Sequence, residues 1–110
     1  MNDEVRKELD TLEQMVLNWK ANYLGFATPD GGNDFLLEEF QDEIMIYISP
    51  YVRRLYQCEY LTSVEAEEFM DHLYDQVEDL RQQIQELEMP PEKQGVWQKF
   101  VDSTRKVLQK

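Results

Sequence analysis

The chain has 110 residues and a formal net charge of −12, which excludes the cationic footprint that nucleic acid or an anionic membrane surface requires. Hydrophobic residues make up 42% and there are thirteen aromatics (5 Phe, 6 Tyr, 2 Trp), enough to build one folded domain over residues 1–110 and too many for a disordered chain. The lone cysteine excludes an internal disulfide, and no stretch approaches the roughly 18 apolar residues of a membrane span. With a polar, charged opening stretch, these features place the expected location in the cytoplasm.

Residues 3–24 carry Val5, Leu9, Leu12, Val16, Trp19 and Tyr23 at steps of four and three, the stripe that one side of a helix buries. Asn2 or Asp3 is the expected N-cap and Gly25 the expected stop. The stretch from Gly25 to Asn33 concentrates turn formers, with Pro29 suited to the second position of a type I turn that Gly31 closes. It lacks the lysine-serine or lysine-threonine pair of a phosphate-binding loop. A second helix, capped by Asn33 or Asp34, should bury Leu37, Phe40, Ile44 and either Tyr47 or Ile48. The run Ile44-Met45-Ile46-Tyr47-Ile48 is apolar on every side and rich in β-branched residues, a pattern that a buried strand shares. Helical neighbours and the lack of a strand partner favour helix. Ser49-Pro50 is suitable chemistry for starting a new helix, and Tyr51, Leu55 and Cys58 continue the apolar spacing. Residues 34–60 therefore read as one kinked helix or as two placed end to end, with Cys58 as a small buried hydrophobe.

The most strongly patterned segment runs from Thr62 to Glu88. Ala66, Met70, Leu73, Val77, Leu80, Ile84 and Leu87 recur at alternating steps of four and three, and Phe69 and Tyr74 flank that stripe, which favours burial against two or more helices over a two-stranded rod. Thr62 and Glu65 have the spacing of a reciprocal capping box, Leu61 can staple onto Ala66, and Pro90-Pro91 marks the stop. Residues 92–109 then offer Val96 or Trp97, Phe100, Val101, Thr104 and Leu108 on one side of a final amphipathic helix. The expected architecture is all-α: a single-domain four- or five-helix bundle with one long central helix over about 62–88.

Charge is unevenly spread. The nets are −2 for residues 1–25, −5 for 26–61, −8 for 62–89 and +3 for 90–110. Glu68, Asp71, Asp75, Glu78, Asp79 and Glu86 fall on the side of the long helix away from its apolar stripe, and no recognisable motif pairs a base with Cys58 or a serine as nucleophile. The primary expectation is a non-enzymatic interaction or adaptor module that needs no cofactor and docks a basic protein surface through those six carboxylates. The aromatic-rich stretch 44–60 and the long helix also suggest a homodimer. Direct nucleic-acid binding and membrane association are not expected. An acidic protein can also imitate the phosphate charge of nucleic acid and so occupy a nucleic-acid-binding protein.

One motif carries a different implication. Glu38-Glu39-Phe40-Gln41-Asp42 followed by Glu68-Phe69-Met70-Asp71 resembles the EExxE and ExxD motifs of the MazG-like all-α NTP pyrophosphohydrolases, over nine residues and with Asp42 where that family has glutamate. The resemblance implies a four-helix fold, a Mg²⁺ site at Glu38, Glu39, Asp42, Glu68 and Asp71, and cleavage of a nucleoside triphosphate. The residues themselves fall on the outward side of their own apolar stripes. The single histidine, His72, cannot supply the two Glu-x-x-His motifs of a ferritin-like di-metal site and reads as an exposed residue among acids.

Overall fold

The computed structural model describes residues 1–89, which contain helices and no strand. Helix α1 spans Asp3–Phe26, α2 Asp34–Glu43, α3 Ser49–Gln57 and α4 Ser63–Glu88, with a π-helical segment at Ile44–Ile48 joining α2 to α3. Residues 34–57 are thus one continuous rod, and the described residues form three helical rods. The amphipathic helix read over 92–109, and with it the four- or five-helix count, lies outside the described residues.

The helix starts follow the local chemistry. Asn2 caps α1 by accepting from the Val5 amide at 2.8 Å, and α1 continues past Gly25 to Phe26. At α4 the capping box is complete: the Glu65 amide donates to Thr62 Oγ1 and the Thr62 amide donates to Glu65 Oε1. That backbone hydrogen bond from Thr62 holds the Glu65 carboxyl below the usual carboxylate range. In the connecting loop the Gly31 amide donates to the Thr28 carbonyl, which closes a turn around Pro29 as the sequence suggests.

The π-helical segment has a reason in the spacing. Leu37, Phe40, Ile44, Ile48, Val52 and Leu55 are all buried, yet three consecutive steps of four overshoot an α-helical turn by about 40° each. A wider turn, in which the Ser49 amide donates to the Ile44 carbonyl five residues back, absorbs the overshoot and keeps these residues in line. Pro50 follows immediately; it has no amide to offer the carbonyl four residues back, so the irregular turn sits where a regular one would be interrupted in any case. Ser49 is itself in helical geometry, so α3 begins there, with Pro50 in its first turn, and the rod continues without a break.

Cys58 corrects the sequence expectation: it is exposed. Helix α3 ends one residue earlier, at Gln57, because Glu59 adopts the left-handed conformation at φ 65° and the Tyr60 amide donates to the Leu55 carbonyl. The chain turns away before the apolar stripe reaches the thiol.

Side-chain pairs fix the topology. Along α1 and α4 the numbers rise together, from Met1 with Glu65 through Glu13 with His72 to Lys20 with Asp79, so these helices are parallel. Along α1 and the middle rod they run in opposite senses: Glu8 meets Tyr51, Trp19 meets Tyr47, and Tyr23 meets Glu43. The core lies on the axis of this up-down-up arrangement. Val5, Leu9 and Val16 come from α1, the six-residue stripe from the middle rod, and Leu73, Val77, Leu80 and Ile84 from α4, with Leu61 closing one end.

Tyr23 packs its ring 5.6 Å from that of Phe40 and donates its hydroxyl to Glu43 Oε1. Burial, then the hydrogen bond to Glu43 and the charges of Glu43 and Glu39, push the phenol well above its ordinary 10.0. A group that holds its proton more tightly when folded contributes stability below the unfolded pKa and loses it as pH rises beyond. Stability should therefore fall above about pH 10, and Tyr23→Phe should flatten that fall in urea titrations while costing about 1 kcal/mol at pH 7 through the lost bond to a carboxylate. An equally steep alkaline slope in the variant would show that Tyr23 is not its source.

Candidate functional site

The acidic residues singled out in the sequence separate into three groups once folded. Glu68, Asp71, Asp75 and Glu78 are exposed, spaced three, four and three residues apart, and so form one ridge along the solvent side of α4. Arg81 stands 3.3 Å from Glu78, one turn away. Such an exposed pair contributes little to stability, so the ridge stays strongly negative. Glu86 is exposed in the last turn, where the helix dipole favours bases instead.

Asp79 does not belong to this ridge, contrary to its assignment in the sequence. It lies on the α1 side of α4, where Lys20 Nζ donates to Asp79 Oδ2 at 2.6 Å and to Gln76 Oε1 at 2.8 Å. Gln83 Nε2 adds a bond to the same Oδ2 at 2.7 Å. The hydrogen bonds from Lys20 and Gln83 hold the Asp79 carboxyl below its ordinary range, so it stays ionised as a fastener between two helices. His72 likewise reaches across to α1, its Nε2 standing 2.9 Å from Glu13 Oε1 with both side chains half exposed.

The third group is Glu38, Glu39 and Asp42 on α2, all exposed. With Glu68 and Asp71 they are the residues that the pyrophosphohydrolase resemblance would have converge on Mg²⁺. Among the described residues no three His, Cys, Asp or Glu side chains come together as a group that could hold a metal ion.

Three features were not found by sequence reasoning. Lys20 was not recognised as the partner of Asp79, although it is the only base in the second half of α1 and Asp79 sits one turn before Gln83. Asn33 stands at the N-cap of α2 as its sequence position suggests, but its side chain does not cap that helix: it is buried and bonds Thr28 and Glu88. The third is an exposed apolar strip: Met45, Ile46 and Tyr47 are 51, 60 and 65% exposed on three consecutive residues of the π-helical segment. Between α3 and α4 runs an open groove lined by Val52, Tyr56, Ala66 and Met70 among others. No helix among the described residues is long and apolar enough to cross a membrane. Comparison with known proteins finds no matching family, no matching curated protein and no matching solved structure.

Proposed function

We propose that the protein is a non-enzymatic interaction module, a four- or five-helix bundle, whose α4 ridge docks the basic surface of another protein. The observation that carries this reading is the division of labour among the carboxylates. Asp79 and Glu88 are engaged by Lys20 and Asn33 within the bundle, whereas Glu68, Asp71, Asp75 and Glu78 stand in water on one line over about 15 Å of helix. Among the described residues the ion pair on this line is the one that Arg81 makes with Glu78. Such a line sets up a field that steers a cationic partner into register, and its reach shrinks to about 8 Å at physiological salt.

The test follows from the same division. Glu68→Gln, Asp71→Asn, Asp75→Asn and Glu78→Gln together, with Asp79 retained, should leave the melting curve unchanged or slightly improved, since each change removes like-charge repulsion on a solvated face. Affinity capture from a lysate should then lose the basic proteins that the parent retains at low salt. Surface plasmon resonance with a captured partner should show the parent's association rate falling steeply with added salt while dissociation changes little. Capture of the same proteins by the neutralised chain, with the same salt dependence, would overturn the reading.

A further inference from the structure

Ser49, Ser63 and Ala66 have side chains too short to fill the space where α3 lies against α4, and the result is an open groove of about 300 Å³ that Val52, Tyr56 and Met70 also line. Val52 is buried at its base, whereas Tyr56 is half exposed. Met45 extends the wall that the middle rod supplies. Glu43 and Tyr47 both reach α1, so Met45, two residues from each, turns to the other side, four residues before Ser49. Its side chain is exposed. From Tyr56 to Met45 the trough runs about 16 Å, three turns of a helix. A trough with an apolar base and large apolar side chains exposed along its wall has the form that receives an amphipathic helix.

The two lips of this groove differ in charge. Glu67 lines it on the α4 side. At about 100° per residue, Asp71 and Glu78 fall within about 40° of Glu67 around α4, whereas Glu68 and Asp75 fall about 100° and 80° from it and stand behind that lip. All five are exposed. Arg81 pairs with Glu78, while Glu67 and Asp71 are in no ion pair among the described residues. The middle-rod wall carries Arg53, which is exposed and likewise forms no ion pair among the described residues.

Shape and charge together select the occupant. A second copy offering the same surface would set one concave face on another and leave a void, and a copy offering a different face would make a contact that does not close. Each described rod of this chain also holds more acids than bases, so a copy brings the wrong charge to Glu67 and Asp71. A helix of another protein, apolar on one side and basic along one flank, meets both requirements.

On the footing that α4 docks basic partners, we propose that the α3–α4 groove receives one amphipathic helix of another protein, its apolar side on Val52, Tyr56, Ala66 and Met70, its basic flank over Glu67 and Asp71, and an acid facing Arg53. The partner's apolar anchors then recur at helical spacing, and Glu67 joins the residues that select it. Three turns of helix make a contact at the small end of interface sizes, so a micromolar, rapidly exchanging complex is expected.

Fluorescence anisotropy on the full chain with three labelled peptides of about 15 residues tests this. The first peptide has leucines at helical spacing, lysines along one flank and a glutamate on the other. The second has the same composition in scrambled order, and the third has glutamate in place of every lysine. The first should bind with a micromolar Kd and the other two at least tenfold more weakly. Tyr56→Lys, at an exposed position outside the core cluster, should weaken the first peptide at least tenfold with the melting curve unchanged. Glu67→Gln with Asp71→Asn should weaken it at least threefold, and more than Glu68→Gln with Asp75→Asn does. Equal binding of the first and second peptides, lost in the variant neutralised at Glu68, Asp71, Asp75 and Glu78, overturns the groove and leaves the ridge as a docking surface. Binding of the first peptide that Tyr56→Lys does not change overturns it too. So does the absence of binding by the parent up to about 1 mM, since the groove is then filled by this chain's own residues or takes no helix. A light-scattering mass that doubles between about 1 and about 50 µM in the parent but not in Tyr56→Lys overturns it as well, by making the occupant a second copy.

Discussion

Leu73→Asp is expected to abolish cooperative folding. Leu73 is fully buried at the middle of α4, with Val77 and Leu80 following on the same stripe and the middle rod and α1 packed over it. Removing its side chain forfeits about 1.5–3 kcal/mol of burial. Placing an ionised carboxylate there adds several kcal/mol more, since the position lies within the hydrophobic core cluster. Together these approach the whole stability of a domain this size, about 5–15 kcal/mol. The melt followed by circular dichroism at 222 nm should lose its sigmoid and keep only a shallow slope. Glu78→Ala, five residues away on the exposed ridge, should stay within about 0.5 kcal/mol of the parent and so controls for loss of helix propensity. A sigmoidal melt of Leu73→Asp within a few degrees of the parent would mean that the α4 stripe is not the core.

That stripe was legible in the sequence because everything that specifies it is local. The alternation of four and three from Ala66 to Leu87, the Thr62 and Glu65 capping box and the pair of prolines all lie within one continuous segment, and the structure keeps the box and buries Leu73, Val77, Leu80 and Ile84. The apolar run at 44–48 was ambiguous for the complementary reason. A stretch apolar on every side carries no phase, so periodicity cannot say which residues face inward, and the π-helical turn that exposes Met45, Ile46 and Tyr47 is set by three successive steps of four that matter only when the rod packs. Cys58 was misplaced because the left-handed residue that ends α3 is Glu59, not the glycine that would announce such an end. Asp79 was assigned to the outer face by period alone. Its true position depends on α1 lying parallel to α4, which brings Lys20 to a residue 59 positions away. The acidic ridge was legible as a line of charge, since Glu68, Asp71, Asp75 and Glu78 face water as their spacing implies.

Asn33→Ala is expected to cost about 3 kcal/mol, far more than the loss of a loop residue at the start of a helix ordinarily does. Asn33 is 3% exposed and uses every polar atom it has. Its Oδ1 accepts from the Thr28 amide at 3.0 Å, and its Nδ2 donates to the Thr28 carbonyl at 2.8 Å and to Glu88 Oε2 at 2.8 Å. The first two bonds hold the 28–33 turn closed, with Gly31 and Gly32 at positive φ inside it. The third ties that turn to the last residue of α4. Each neutral bond contributes about 1 kcal/mol and the bond to a carboxylate somewhat more, discounted because Glu88 is partly in water. The tie also explains why Glu88 is tolerated in the last turn of α4, where the helix dipole disfavours an acid: an amide donor fixed by Thr28 stabilises its charge. Two comparisons separate these contributions in urea titrations at pH 7. Asn33→Asp removes both donors and sets a second carboxylate beside Glu88, so it should cost more than Asn33→Ala and recover part of the difference below about pH 4 as carboxylates protonate. Asn33→Ala combined with Glu88→Gln should cost less than the sum of the two single changes by at least about 0.5 kcal/mol, the mark of a shared contact. Strictly additive losses would mean that the turn and α4 are stabilised separately, and a cost for Asn33→Ala under about 0.5 kcal/mol would mean that the tie does not hold the two elements together at all.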